Sequence, residues 1–298
     1  MEKNLTTDSV GRQLIGFSLP YLLSYLLQTL YGMADLFIIG QYEGVAGTTA
    51  VAVGSQVMHM LTVMIVGLAM GTTVSIARAI GADDRPQAAA ATGNTVTLFL
   101  SLSLVLTAGL LLLRCPITAV GIVEKIIGFL FLVPSSMLSA VSALGAQNIG
   151  ARKPERAIQT LRYAILIAVS FGLVVSVLIQ FQAENIVALF TDRNAAGGAE
   201  VVRLGGQYFK GYIWDCVFAG IHFCFSGYFC ACGKSGLSFL HNILAIMLIR
   251  VPGVYLTSQL FPSTLFPMGL ATATGSLFSV CICVVAFMIL QRKRGDRG

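Results

Sequence analysis

The strongest constraint on this chain is an internal repeat that joins long apolar runs. Residues 76–88 and residues 145–157 are similar and share the sequence Ile-Gly-Ala in register, and each stretch closes one apolar run and opens the next. The offset between the copies, as between Gly81 and Gly150, continues downstream in the identities Ser101/Ser170, Leu104/Leu173, Val105/Val174, Ile117/Ile186 and Ala119/Ala188. A repeat of this kind within an apolar chain is typical of a membrane transporter built from two related halves.

The composition predicts that the chain lies in a lipid bilayer. Hydrophobic residues make up 56% of the 298 residues, charged residues make up 11%, and the mean hydropathy is +0.83. A soluble domain carries about 25% charged residues, so this chain cannot cover itself with a polar surface. The net charge of +6 does not indicate a nucleic-acid partner, because the basic residues lie in short loops, where they orient membrane helices.

Because a bilayer span needs about 20 mostly apolar residues, the sequence predicts an all-α polytopic membrane protein with about eight transmembrane helices. The candidate spans are residues 14–39, 47–76, 90–113, 124–146, 159–182, 207–231, 237–260 and 266–290.

The distribution of Lys and Arg predicts the orientation of these spans. Loops on the side of the N-terminus hold most of the basic residues, and only five lie on the other side: Arg114, Lys125, Arg193, Arg203 and Lys210. Positive residues collect in cytoplasmic loops, so we expect a cell-membrane protein with both termini in the cytoplasm. Both copies of the repeated loop then lie on the cytoplasmic side, and the two copies run parallel.

Neither an enzyme nor a metal site is predicted. Most of the seven cysteines lie in apolar runs, and Cys230 with Cys232 and Cys281 with Cys283 lack the spacing of a zinc site. The sequence contains no Walker A, G-x-S-x-G or H-E-x-x-H motif. We therefore expect no cofactor, and we expect His222 and His241 to be hydrogen-bonded between helices rather than to act as ligands.

Several motifs in order resemble the multidrug and toxic compound extrusion (MATE) family. The first span, with Pro20, Asp35 and Gly40, is similar to the opening helix of that family and its embedded acid. Residues 71–82 resemble the end of the second family helix, and residues 147–151 resemble the matching point in the second lobe. Residues 227–235 and 250–252 fit the late helices of the family.

One departure from the family is an apparent jump near residues 121–124, where family helices four to seven find no counterpart. The resemblance therefore implies a partial two-lobe parallel repeat. Residues 1–121 would form part of a first lobe with family helices one to three, and residues 122–298 part of a second lobe with helices eight to twelve.

The resemblance implies a secondary active antiporter that exports drugs, namely small organic cations, in exchange for H⁺ or Na⁺. Its partners would be the bilayer, these substrates and no nucleic acid, and two copies could pair as a homodimer to rebuild a full transporter. Two alternatives stay open: a truncated, non-transporting remnant, motivated by the missing helices, and a lipid-linked oligosaccharide flippase, which would need several cationic residues in its cavity, where only Arg250 is placed.

Asp35 is the first candidate for cation coupling. It lies about two-thirds along the first span, and an acid inside a bilayer is costly unless it is paired, protonated or functional. The resemblance places Asp35 in the cation site of the first lobe, but its family partners lie on helices that this chain lacks. Alternatively, Asp35 lies near the outer interface, where it is hydrated or bonded to Tyr31 or Gln28.

Asp215 and Arg250 form the second candidate. Asp215 lies eight residues after Gln207 on one span, and Arg250 lies ten residues before Leu260 on the next. At the rise of an α-helix both lie roughly 12–15 Å below the outer boundary. Equal depth on consecutive spans permits an ion pair, which would lower the cost of burying either charge. The pair would be a structural clamp, or Asp215 would couple a cation and Arg250 would contact the substrate.

Pro20 is expected to kink the first span, because proline removes a helix hydrogen bond. The resemblance implies that such a bend accompanies protonation in some relatives, so Pro20 is either a hinge for Asp35 or a kink that serves packing alone.

Overall fold

The computed structural model describes residues 9–42, 65–112, 128–189, 198–261 and 263–295, and these residues are helical apart from short turns. The helices are α1 (Val10–Tyr42), α2 (Ile65–Gly81), α3 (Arg85–Leu112), α4 (Leu132–Gly150), α5 (Pro154–Ala188), α6 (Gly198–Tyr212), α7 (Asp215–Ala231), α8 (Ser235–Ala245), α9 (Val251–Leu260) and α10 (Phe266–Gly295), with a π-helical turn (Ile246–Arg250) between α8 and α9.

Three helices within the described ranges are long and apolar enough to cross a membrane: Pro154–Ala188, Ser235–Leu260 and Phe266–Arg292. Val202–Tyr212 and Asp215–Ala231 make a fourth if this bent pair is one span. The all-α membrane architecture is therefore confirmed. The expected number of about eight spans stays a prediction, because the other four candidates fall in part on residues whose backbone or side chains lie outside the description.

The two copies of the repeat fold into the same helix–turn–helix unit. The first copy runs from α2 into α3, and the second runs from α4 into α5. Asp83 and Arg152 occupy equivalent positions, and both have a φ of 58°, which is the left-handed conformation that closes a helix C-terminus. Equivalent N–H groups then bond to the last carbonyls of each helix. In the first copy the N–H of Ala82 donates to Arg78 and that of Asp84 donates to Ala79. In the second copy the N–H of Ala151 donates to Gln147 and that of Lys153 donates to Asn148.

The same turn occurs a third time between α7 and α8, where the left-handed position is Gly233 with a φ of 71°. This end of α7 contacts the first copy of the repeat. Arg78 donates two hydrogen bonds to the carbonyl of Ala231, with its Nε at 3.0 Å and with its Nη2. Val74, Ala146 and Ala231 form a buried apolar cluster beside these bonds.

Glycines let the two copies approach each other to backbone contact. A Cβ added to Gly81 would overlap the carbonyl oxygen of Gln147, and a Cβ added to Gly150 would overlap the carbonyl oxygen of Arg78. Gly81 and Gly150 are equivalent in the repeat, and so are Arg78 and Gln147. The contact is therefore reciprocal, and the absence of a side chain allows it, as in other close helix crossings.

Helices from both predicted lobes share one core. Leu14 of α1 belongs to the same buried cluster as Leu144 of α4, Leu161 of α5 and Phe225 of α7. Arg156 on α5 also donates a hydrogen bond of 3.5 Å to the side-chain oxygen of Gln13 on α1. The predicted lobe boundary between residues 121 and 122 lies outside the described ranges.

Replacing Gly81 or Gly150 with alanine is expected to destabilise the protein. Overpacking at a close contact costs about 1–3 kcal/mol, because the backbones must move apart. Gly71→Ala, on the same helix as Gly81, is the matched control, since a Cβ there meets nothing within 4 Å. Thermal unfolding in detergent should show a lower midpoint for Gly81→Ala and Gly150→Ala, and a midpoint at or above that of the parent for Gly71→Ala. Equal midpoints for all three variants would contradict the reciprocal contact.

Candidate functional site

The candidate site begins at a break between two helices. α6 ends at Tyr212 and α7 starts at Asp215, and the two helices are bent by 43° relative to each other. At the break the carbonyl of Ile213 accepts a hydrogen bond of 3.0 Å from the N–H of Cys216, three residues on, and a second one of 3.2 Å from the hydroxyl of Ser176 on α5. A broken helix at membrane depth is tolerated where it is buried in protein or lines a cavity, and such breaks form ion sites in transporters.

Asp215, the first residue of α7, pairs with Arg250. The Arg250 Nη2 lies 2.9 Å from the Asp215 Oδ2 and also donates to the Ser276 Oγ at 2.9 Å. The Asp215 side chain is 0% exposed, whereas that of Arg250 is 32% exposed. Asp215 is thus a fully buried carboxylate, and the partly accessible guanidinium of Arg250 is its counter-charge among the described residues.

One oxygen of this carboxylate is left over. The Asp215 Oδ1 is buried and has no hydrogen-bond partner among the described residues. An unpartnered oxygen of a buried charged group is costly, and such atoms call for an explanation in terms of strain, function or an absent ion or water.

A π-helical turn carries Arg250. The turn spans Ile246–Arg250, and the Val251 N–H donates to the carbonyl of Ile246, five residues back. Pro252 follows directly, has no N–H to give to the carbonyl of Leu248, and its ring would clash with that carbonyl in a regular α-helix. The wider turn relieves this clash, and single π-turns of this kind are frequent at functional sites.

The stem of Arg250 lies against a position without a side chain. A Cβ added to Gly275 on α10 would overlap the Arg250 Cγ and would lie 3.3 Å from both its Cδ and its Nε. Gly275 therefore provides the space through which the guanidinium reaches Ser276 and Asp215.

Two histidines extend the polar region deeper into the bundle. His241 on α8 is hydrogen-bonded through its Nε2 to the Ser226 Oγ at 2.8 Å and through its Nδ1 to the Ser279 Oγ at 2.6 Å. The His222 ring lies 5.4 Å from that of His241, measured between centroids. The His222 Nδ1 is buried and has no hydrogen-bond partner in the described part of the chain.

Most of these groups line a pocket of about 120 Å³. Its aromatic walls come from Phe131, Tyr212 and Phe223, and its polar lining includes both members of the ion pair. The remaining lining residues are Ala219, His222, Asn242, Ala245, Ile246, Ser276 and Ser279. The arrangement can hold a small cation at the Asp215 carboxylate or an organic group between aromatic faces.

The structure brings together two of the four residues singled out from the sequence. Asp215 and Arg250, placed at equal depth by their spacing, form the ion pair. Asp35 lies in α1, but its side chain falls outside the described part of the structure, so its role as a cation site stays a prediction. Pro20 is exposed inside α1, and the helix continues through it to Tyr42.

Sequence reasoning missed the surroundings of the ion pair. Ser276 and Gly275 lie in an apolar run and carry no pattern of their own. The sequence signal that could have identified them is a Gly-Ser pair on the last span, at about the membrane depth predicted for Arg250. His222 and His241 were expected to be hydrogen-bonded between helices, and His241 is bonded to α7 and α10.

Cys216, Cys224, Cys230, Cys232, Cys281 and Cys283 carry free thiols. The described residues contain no group of three or more His, Cys, Asp or Glu side chains that could hold a metal ion.

Comparison with known proteins supports the architecture and the ancestry. The MatE family profile matches residues 20–118 and 114–256. The probable multidrug resistance protein NorM of Thermotoga maritima is 35% identical over 99 residues, which cover 33% of this chain and 21% of that relative. The crystal structure of MATE in complex with MaL6 aligns with a TM-score of 0.76 at 14% identity and covers 99% of both chains, which shows a shared fold.

A double-mutant cycle at the ion pair is expected to show strong coupling. Asp215→Asn leaves the guanidinium without its counter-ion, and Arg250→Gln leaves a buried carboxylate unpaired, so each should cost about 3–5 kcal/mol. The double variant should lose less than the sum of the two, with a coupling of at least about 1 kcal/mol, because neither charge remains alone. Thermal or denaturant unfolding in detergent measures this, and additive losses would show that the two charges do not stabilise each other.

Proposed function

Because this chain belongs to the MatE family, we propose that it is a secondary active transporter of the multidrug efflux type. It exchanges H⁺ or Na⁺ for small amphipathic organic cations and moves them from the cytoplasm to the exterior. The name of the NorM relative, a probable multidrug resistance protein, supports this class of substrate. The shared stretch covers 21% of that relative.

The observation that carries the proposal is the buried environment of the Asp215 carboxylate. Its carboxylate is fully buried, it sits at a 43° break between two helices, and its Oδ1 has no partner among the described residues. Transporters place their coupling ions at such breaks, where carboxylates and unwound backbone face a cavity. A proton or Na⁺ bound here neutralises the carboxylate, and its release restores the charge. This change in charge is what couples the ion gradient to movement.

The aromatic walls of the pocket suit an organic cation. Phe131, Phe223 and Tyr212 line the same space as the carboxylate. A cation held over aromatic faces gains attraction from the ring quadrupoles, and this attraction grows when water is excluded. Such recognition depends on charge and apolar shape rather than on a fixed set of hydrogen bonds, so it fits a transporter of varied drugs.

Alternating access follows from the repeat. The two copies meet in the reciprocal contact of Gly81 and Gly150, which lies on the predicted cytoplasmic side, where Arg78 also bonds the end of α7. We expect this contact to close the cytoplasmic side while the pocket faces outward, and to open when the two halves rock. The protein then resides in the cell membrane with both termini in the cytoplasm, as the distribution of Lys and Arg predicts.

The two other functional classes have less support. A flippase for lipid-linked oligosaccharides needs a cationic cavity, but the guanidinium of Arg250 is paired with Asp215, so the pair gives the pocket no net charge. A non-transporting remnant would have no use for a pocket that holds a buried carboxylate oxygen without a partner.

Dye efflux from proteoliposomes tests the proposal. Vesicles preloaded with a fluorescent organic cation should lose the dye when a proton or Na⁺ gradient is imposed. Asp215→Asn should lower the gradient-driven rate at least about tenfold, because the neutral side chain can no longer exchange an ion, and each tenfold corresponds to about 1.4 kcal/mol. Glu155→Gln, at an exposed carboxyl in the first turn of α5, is the matched control and should transport at the parental rate.

Asp35→Asn in the same assay separates the two candidate acids. Loss of transport in this variant would place Asp35 in the coupling mechanism. An unchanged rate would leave Asp215 as the coupling residue. Gradient-independent leakage that is the same for the parent and Asp215→Asn would refute antiport by this chain.

A further inference from the structure

We infer that Arg250 is a tethered competitor for the cation at Asp215, so that the guanidinium and a monovalent metal cation occupy this carboxylate in turn. The inference rests on the proposed function and specifies how the coupling site is emptied. In the structure the guanidinium holds the site, with Nη2 2.9 Å from both the Asp215 Oδ2 and the Ser276 Oγ.

Charge balance makes the two occupants exclusive. Asp215 carries one negative charge, is fully buried, and is paired with the charge of Arg250. A second positive charge beside the guanidinium would be repelled across a few ångströms of poorly screening protein. The other titratable groups described nearby are His222, which lines the pocket, and His241, whose ring contacts that of His222, and a histidine is neutral or positive and cannot supply negative charge. A cation therefore binds only when Arg250 moves away.

The departure of one guanidinium nitrogen would free oxygen ligands for a cation. Nη2 alone bonds both the Asp215 Oδ2 and the Ser276 Oγ, so its movement releases these two oxygens together. The Asp215 Oδ1 already lacks a partner among the described residues. Two carboxylate oxygens and one hydroxyl oxygen are then available at the lining of the pocket, and oxygens of these kinds suit hard cations.

The structure also provides a way for Arg250 to move. Its side chain is 32% exposed and borders the pocket, whereas Asp215 is enclosed, so the arginine is the member that can swing. Arg250 ends the π-turn Ile246–Arg250, whose hydrogen-bond register differs from that of the flanking α-helices. A change of register in this turn would rotate Arg250 about the helix axis and so move its guanidinium relative to Asp215.

Gly275 makes this inference testable without removal of a charge. A Cβ at this position would overlap the Arg250 stem, so Gly275→Ala should push the guanidinium off the carboxylate. Gly236→Ala, where a Cβ meets nothing within 4 Å, is the matched control.

The experiment measures binding of radioactive Na⁺ to the purified full chain in detergent, at alkaline pH so that protons do not compete. Arg250→Gln should bind Na⁺ at least about tenfold more tightly than the parent, because the carboxylate is no longer occupied, and Gly275→Ala should shift the affinity in the same direction by a smaller factor. Gly236→Ala should match the parent, and adding Asp215→Asn to Arg250→Gln should abolish the gain.

A structural clamp predicts the opposite result. Na⁺ affinity that is unchanged or weaker in a folded Arg250→Gln protein would overturn the competition, with the thermal midpoint as the check on folding. If Arg250→Gln does not fold, Gly275→Ala decides, and parental affinity in that variant overturns the inference. If the parent protein shows efflux but neither variant binds Na⁺ more tightly, the competition is wrong and the efflux proposal stands. If the variants bind Na⁺ more tightly but the parent protein shows no efflux, the efflux proposal is wrong and the competition stands.

Discussion

A carboxylate inside a bilayer must be neutralised, and this requirement shapes the second half of the chain. The Asp215–Arg250 ion pair draws together an end of α7, the π-turn between α8 and α9, and the glycine and serine of α10. Each of these local irregularities would be costly alone, because a break or a π-turn disturbs a helix that is otherwise satisfied internally. Together they place a guanidinium at hydrogen-bond distance, 2.9 Å, from the buried acid. The pocket is the space that these departures from regular helix leave behind.

The sequence predicted the parts of the fold that depend on a repeating pattern. The match between the two copies predicted two equivalent helix–turn–helix units, and the structure gives both turns the same capping bonds and the same left-handed residue, Asp83 or Arg152. The ion pair was also predictable, because helical rise turns residue number into depth, and Asp215 and Arg250 are equally deep on consecutive spans.

The parts that were not predicted depend on contacts between distant segments. The break before Asp215 has no proline at its centre, and the turn of residues 213–214 lies inside one apolar run, so periodicity gives no sign of it. The position of Gly275 acquires meaning only once Arg250 is placed beside it. The third copy of the turn, around Gly233, escaped the repeat because its residues differ from those of the other two, and only the shared backbone conformation reveals it.

The reciprocal contact between the two copies has a consequence for how they can separate. Gly81 lies against the carbonyl of Gln147, and Gly150 lies against the carbonyl of Arg78. Each of these carbonyls also accepts a capping N–H of its own copy, from Ala151 and from Ala82. Separation of the two copies therefore uncovers the capped ends of both helices, and a methyl group added to either glycine presses on the cap of the other copy.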